Sequence, residues 1–421
     1  MKKIISIAIC CLLFVQKSNA QFYEFARPIM DTLCSANYNG RGYINDGVNK
    51  AADFLANQFT EIGLKNFDNT YFQNYQFAIN SLPSVSCIID GKVMKPGEHF
   101  LVDAACPDVK GTFRLLPFSY TNAVDKELLF AKLKQGLLPN EALLMKNAED
   151  NRQFRKFLDT LDSMGFKIPL IVKSVSKKLL WTTSQQLEKI PMLTFPDTII
   201  KNTDEITVDI DSKFIPAYGC KNIIGYLPGK NKNTKGYVVF TAHYDHLGML
   251  GNNAYFPGAS DNASGTSMIL SMANYYAKNK QDYPIVFILF SGEEVGLLGS
   301  KYFVEHPLFS LQKIKMLVNV DIMGSAEAGI TVVNGEQFKS AFDQLVDINK
   351  REAYLPEIKI RGKAANSDHY FFSEAGVPSI FIYSNGGPGY YHDVWDKPNT
   401  LNFKNYDNVA KLLIQFIKEL K

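Results

Sequence analysis

A series of short stretches in this chain carries metal-ligand side chains, each where a strand is expected to end. They are His243 in AHYDH, Asp261 in GASDNASG, the pair Glu293–Glu294 in FSGEEVGLLGS, Asp321 in NVDIMG and His392 in YYHDVWD. Imidazole and carboxylate together are the donor set that holds zinc while leaving positions open for water and substrate. Two ions held a few ångströms apart need ligands for each and one bridging group, and a carboxylate can give one oxygen to each ion. Asp261, in a loop rich in Gly, Ser and Asn, takes that role; His243 and Asp321 complete one site, Glu294 and His392 the other. A water shared by such a pair loses its proton near neutral pH. Glu293 is adjacent to a ligand without being consumed by coordination, so it is placed to accept that proton and pass it to a leaving amine. Asp245, two residues beyond His243, is the expected partner of that imidazole's second nitrogen. The Tyr391 hydroxyl, next to His392, is the expected donor to an oxyanion on the scissile carbonyl.

Each assignment has a plainer competitor. A histidine after a strand can be a polar cap, and a Glu-Glu pair can open a helix, where the dipole favours it. Asp321 fits turn chemistry before Gly324, and Ser367-Asp368 in SDHYFF fits a helix N-cap as well as a catalytic role. His246 and His306 stand apart from the set and read as structural or surface residues. What favours a dinuclear centre is recurrence: the plain readings must explain donors at one strand end after another.

Positioning such a set requires strands that end at one place. From 237 onward the pattern is strand–helix alternation. Apolar strands are expected over 237–242, 285–290, 316–320, 330–333 and 379–383, with helices over 264–276, 299–305, 337–349 and from 405. That alternation predicts an α/β fold, a three-layer sandwich around a central mixed, largely parallel sheet, in which ligands bind beyond the carboxyl ends of strands. Upstream, Val48, Ala52, Leu55, Phe59 and Ile62 recur at helical spacing within 43–64 and stop at Gly63, and 71–77 alternates like a half-buried strand. Between 84 and 216 the texture changes to short β-rich runs (85–89, 169–173, 190–195, 206–210) around a polar, helix-prone stretch over 140–164. His99 is the one histidine there, so this inserted smaller domain is expected to carry no chemistry of its own. The expected organisation is therefore 1–20 as a signal peptide, 21–83 as the N-terminal part of the catalytic domain, 84–216 as the insert, and 217–421 as the main catalytic part.

Composition sets the class. The 421 residues are 46% hydrophobic and 21% charged, the mix of a globular protein. Lys+Arg number 45 against Asp+Glu 42, without basic runs, which offers no argument for nucleic acid. Lys2 and Lys3, the apolar run 4–15 and Ser18-Asn19-Ala20 read as an export signal cleaved before Gln21, placing the protein in the periplasm or outside the cell. Cys10 and Cys11 raise a lipoprotein anchor, but neither has lipobox surroundings. No later stretch is long and apolar enough for a permanent membrane span. Export permits disulfides among Cys34, Cys87, Cys106 and Cys220; Cys87–Cys106 is the nearest pair in sequence, and free buried thiols fit equally.

HYDH, GASDNASG, SGEEVGLLGS, VDIMG and the late histidine, in that order from about 222 to the C-terminus, resemble the di-zinc exopeptidase family. That family includes aminopeptidase S, aminopeptidase Y and bacterial leucyl aminopeptidase, with glutamate carboxypeptidase and the glutaminyl cyclases as relatives. The resemblance implies two zinc ions per chain on His243, Asp261, Glu294, Asp321 and His392, with Glu293 as general base and a cis peptide at Asp261–Asn262. It also implies a metallo-exopeptidase, a secreted aminopeptidase acting on peptides with free N-termini. Glutaminyl cyclase, which uses a single zinc, and a carboxypeptidase for acidic dipeptides are the alternatives; the latter needs a basic group in the pocket that the sequence does not locate. A binding module on this fold would show eroded ligands, and none is eroded here. GKVMKPGEHFLVDAA and IPLIVKS are similar to the protease-associated insert of exported members. The preferred N-terminal residue and the oligomeric state stay open at this level.

Overall fold

The computed structural model describes residues 21–146, 148, 152–231 and 236–420; the expected signal segment 1–20 lies outside them. Its framework is a parallel sheet buried on both faces. The strands Tyr237–His243 and Ile285–Phe290 are uninterrupted apolar or small-residue runs, and nearly every residue in them is buried. That composition is what a strand covered on both sides requires. Tyr237–His243 lies between Ile285–Phe290 and Ile314–Asp321, parallel to both, and Ser379–Ser384 continues the parallel set beyond Ile314–Asp321.

Helices cover both faces. On one side Gly47–Ile62, Gly265–Lys278 and Tyr406–Lys418 pack Leu55, Met268, Leu413 and their neighbours onto Phe240 and Val318. On the other, Phe303 of Leu298–Glu305 and Phe372 of His369–Glu374 meet Val239 and Ile288. Helix Gly47–Ile62 buries Val48, Ala52, Leu55 and Phe59, the stripe legible in sequence. It ends where Gly63 turns left-handed (φ 85°) and donates to the carbonyls of Phe59 and Thr60. Gln21–Leu33, a helix not anticipated from sequence, packs beside Gly265–Lys278.

The sheet does not stop at this frame. It runs through 14 strands, joined by the antiparallel pair Phe72–Ile89 and Glu205–Leu227. The borders expected near 83 and 216 fall inside these long strands rather than in linkers. Leu82-Pro83 marks a shift of register between Ser81 and Ser84, where proline has no N–H to donate. Beyond them Val109–Phe118, Glu141–Met145, Ile171–Val175 and Met192–Pro196 form a second parallel set with its own apolar cores. With helices Ala123–Gln135 and Arg152–Ser163 this lobe is α/β rather than merely β-rich. The stretch 140–164, expected to be helix-prone, splits accordingly. Residues Glu141–Met145 are fully buried between neighbouring strands, so tertiary burial overrides local propensity, and helix begins at Arg152.

Cys34, Cys87, Cys106 and Cys220 are buried free thiols, not the Cys87–Cys106 disulfide. No helix among the described residues is long and apolar enough to cross a membrane.

Candidate metal centre

The strand ends deliver their donors to one place. His243 closes Tyr237–His243 and Asp321 closes Ile314–Asp321. His243 Nε2 lies 3.3 Å from Asp261 Oδ1 and 3.3 Å from Asp321 Oδ2. The other Asp261 oxygen, Oδ2, lies 3.4 Å from His392 Nε2, which is itself 3.1 Å from Glu294 Oε2. The two Asp261 oxygens thus face different partner sets. All these side chains are buried or nearly so, and the Asp261–Asn262 peptide bond is cis.

His246, read from sequence as structural or surface, belongs to this cluster. It is fully buried, and its Nδ1 lies 2.6 Å from Glu294 Oε1. Groups of ligand-type atoms within 4.8 Å of one another form around His243, Asp261 and Asp321, and around His246, Asp261 and Glu294. The AHYDH motif does contain both histidines, three residues apart, so the signal was present. His306 stays apart, stacked on Tyr302.

Backbone and outer side chains fix the cluster. The nearer partner of His243 Nδ1 is the Asp245 main-chain carbonyl at 3.2 Å; the Asp245 carboxylate stands 3.6 Å away. That carboxylate instead accepts the N–H groups of Glu293 (3.3 Å) and Glu294 (3.4 Å), so Asp245 joins the His243 turn to the acidic pair. The acidic pair does not open a helix, since the next one starts at Leu298. Asp321 Oδ2 accepts from Ser367 Oγ at the end of a buried relay, Thr241 to Asn319 and Asn319 to Ser367. Asp368 makes no capping hydrogen bond with its helix.

Sequence reasoning passed over three further supports. Asp396, four residues after His392, accepts the N–H groups of Ser260 (2.9 Å) and Asp261 (3.1 Å) and so holds the loop that presents Asp261. Arg41 is wholly buried, and its guanidinium donates to the carbonyls of Tyr244, Leu33, Pro257, Gly258 and Asp261. No motif marks it; only its position in the fold does. The third support comes from the 84–216 lobe. His392 Nδ1 lies 2.9 Å from the Trp181 carbonyl, Thr183 Oγ1 donates to the Glu294 carbonyl (2.6 Å), and Gln185 Nε2 donates to the Val295 carbonyl (2.9 Å).

Electrostatics separate the members. Burial pushes the Glu293 carboxyl well above the ordinary range; Glu294, Asp368 and Asp321 reinforce this against His243. Burial acts on Glu294 in the same sense, but the charges of His392 and His246 outweigh it and hold Glu294 at about 2. Burial opposes protonation of His392, yet Glu294 and Asp261 beside it hold the imidazole up at about 11. Asp321 Oδ1 and His392 Nε2 are buried without a hydrogen-bond partner among the described residues. Unused lone-pair atoms among carboxylates and imidazoles fit a bound divalent cation of the zinc type.

A cavity of about 240 Å³ opens onto His243, Asp261, Glu293 and Asp321, with Tyr391 in its wall. Tyr391 is half-exposed and stacks on His392 with ring centroids 3.8 Å apart. Burial, Asp261 and Glu294 raise its phenol far above the ordinary range, so it remains a donor.

The chain is 34% identical over 162 residues to aminopeptidase YwaD of Bacillus subtilis, covering 38% of this chain and 34% of that protein. It is 30% identical over 225 residues to a probable leucine aminopeptidase of Arthroderma otae, covering 49% of this chain and 59% of the relative. The chain therefore spans less than two thirds of either relative. The fold as a whole matches BSAP, a zinc aminopeptidase from Bacillus subtilis, at TM-score 0.71 and 20% identity over 94% of each chain. The cluster and its strands fall inside residues 222–417, the segment that matches the model of peptidase family M28.

Proposed function

We propose that this protein is a zinc-dependent aminopeptidase that removes N-terminal residues from peptides. The observation that carries the reading is the pair of faces on Asp261: Oδ1 toward His243 and Oδ2 toward His392, 3.3 and 3.4 Å away. In this reading His243 and Asp321 would hold one zinc, Glu294 and His392 would hold a second, and Asp261 would offer a carboxylate oxygen to each set. We assign the second set to His392 rather than His246, because His392 Nε2 faces both carboxylates while His246 Nδ1 is engaged in orienting Glu294. Zinc bound there supplies Lewis acidity, polarising a carbonyl and bringing a water's pKa down toward neutrality.

The chain's own groups do the rest. Glu293, held high by burial, takes the proton of the attacking water and returns it to the leaving amine. Tyr391 donates its hydroxyl to the oxyanion. Asp245 keeps Glu293 and Glu294 in register through their backbone N–H groups. Peptides with free N-termini are the substrate class, and we take residues 1–20 as an export signal, so that the mature chain starts at Gln21.

Hydrolysis of aminoacyl-p-nitroanilides, abolished by a chelator and restored by zinc with two equivalents bound, is the expected result. A zinc-loaded protein inert on every free-amine substrate, or one that cyclises an N-terminal glutamine at one zinc per chain, defeats the proposal. Edman sequencing of secreted protein tests the Gln21 start.

A further inference from the structure

The cavity beside the cluster has a feature that peptide hydrolysis alone does not use. Its wall carries acidic groups (Glu293, Asp321), apolar and aromatic surface (Ile322, Phe381, Tyr383) and Arg361. Among the described residues that line it, Arg361 is the single arginine or lysine. Arg361 is exposed, and its side chain forms no ion pair or hydrogen bond with a described residue. The lysines around it are spent, Lys359 beside Glu357 and Lys363 beside Glu374.

The backbone that presents it is fixed. Arg361 follows the edge strand Ile358–Ile360, which pairs with Ile330–Val333. Its N–H donates to the Val332 carbonyl (2.9 Å), and the next carbonyl, on Gly362, accepts from Asn334 (3.4 Å). A guanidinium on a rigid edge, beside carboxylates it does not pair with, keeps its planar donor fork free for an incoming group. The matching group is a carboxylate, which accepts that fork bidentately.

We propose that Arg361 is a specificity-determining residue that selects substrates carrying a carboxylate within reach of this cavity. The carboxylate has two possible sources in a peptide: the side chain of the first residue, or the terminal carboxyl of a dipeptide. The inference rests on the aminopeptidase reading and adds to it the basic group that the sequence did not locate.

Isosteric substrate pairs test it. Glutamyl- against glutaminyl-p-nitroanilide isolates the side-chain source, and Leu-Leu against Leu-Leu-amide isolates the terminal one. Wild type is expected to favour the charged member of one pair by about tenfold or more in kcat/KM, the scale of a charge-assisted hydrogen bond. Arg361→Ala should collapse that ratio, Arg361→Lys should keep part of it, and Arg361→Glu should turn the preference toward lysyl-p-nitroanilide. Equal kcat/KM within both pairs for wild type overturns the proposal, as does a wild-type preference that survives Arg361→Ala and Arg361→Glu. Inactivity of wild type on all four substrates and on leucyl-p-nitroanilide instead sinks the underlying aminopeptidase reading.

Discussion

Two parallel strand sets share one sheet in this molecule, and among the described residues only one of them ends in a cluster of metal-ligand side chains. In the 217–421 part the strands close on His243 and Asp321, with Glu293 just beyond a third strand end. In the 84–216 lobe they close on Met145, Val175 and Pro196. Buried charge follows the same division. The lobe's Glu141 is 1% exposed but neutralised by Arg114 and Lys132, whose side chains reach the solvent. The cluster around Asp261 crowds carboxylates with imidazoles and leaves ligand atoms unpartnered. A cleft of about 450 Å³ in the lobe, lined by Phe154, Lys173 and Met192 among others, is larger than the cavity at the cluster. Neither the topology nor cavity size makes a site, then; donors at the strand ends do. The lobe is not idle, however, since it reaches His392 through Trp181 and Glu294 through Thr183.

The sharpest way to break this division is to remove the proposed proton acceptor alone. Glu293→Gln is expected to lower kcat by roughly 10²–10⁴-fold, the usual contribution of a general base, with zinc content unchanged by elemental analysis. Activity that survives this change would move the chemistry elsewhere. Arg41→Met comes next. It keeps a buried chain of similar length but strands the carbonyls of Tyr244, Pro257 and Gly258. Buried groups left unpaired cost about 1–3 kcal/mol each, so calorimetry should show a Tm lowered by on the order of 5–10 °C. A Tm within a degree of wild type would mean that water replaces the guanidinium at no cost.

Smaller effects measure what the lobe adds. Thr183→Val removes the hydroxyl that holds the Glu294 carbonyl, a contact worth about 1 kcal/mol. A several-fold weaker hold on zinc in chelator competition is expected, with Thr183→Ser restoring it. Unchanged zinc affinity in both variants would reduce the contact to packing.

How far these regions were legible differs for a physical reason. The donors of the 217–421 part were readable because a metal site demands particular side chains at strand ends, and the strands there are runs of apolar residues with clear limits. Even so, His246 was discounted, since one imidazole beside another in AHYDH gives no hint which faces the acidic pair. Arg41, Asp396 and Trp181 escaped notice because what they contribute is contact through main-chain atoms across 135 to 211 positions of sequence, and backbone groups leave no motif. Arg41 Nε meets the Tyr244 carbonyl 203 positions along the chain, and His392 meets Trp181 across 211. In the lobe, Glu141–Met145 was hidden inside a helix-prone stretch because five buried residues say strand only once their neighbours in the sheet are known.

In one property the two regions should not differ at all. Cys34 and Cys220 lie outside the lobe and Cys87 and Cys106 within it, and burial pushes each thiol from about 9 to about 12. The thiolate is the reactive form, so all of them should resist Ellman's reagent at pH 8 in the folded protein and react once it is denatured. The sign of the linkage follows. A thiol held higher in the folded state than in the unfolded chain stabilises the fold fully below the ordinary thiol range. That contribution disappears as pH rises from about 9 toward 12. Stability followed by denaturant titration should therefore fall over that alkaline window, and Cys87→Ala and Cys220→Ala should each flatten the fall by a comparable amount. A flattening confined to one of them would show that the shared sheet does not shelter both regions equally.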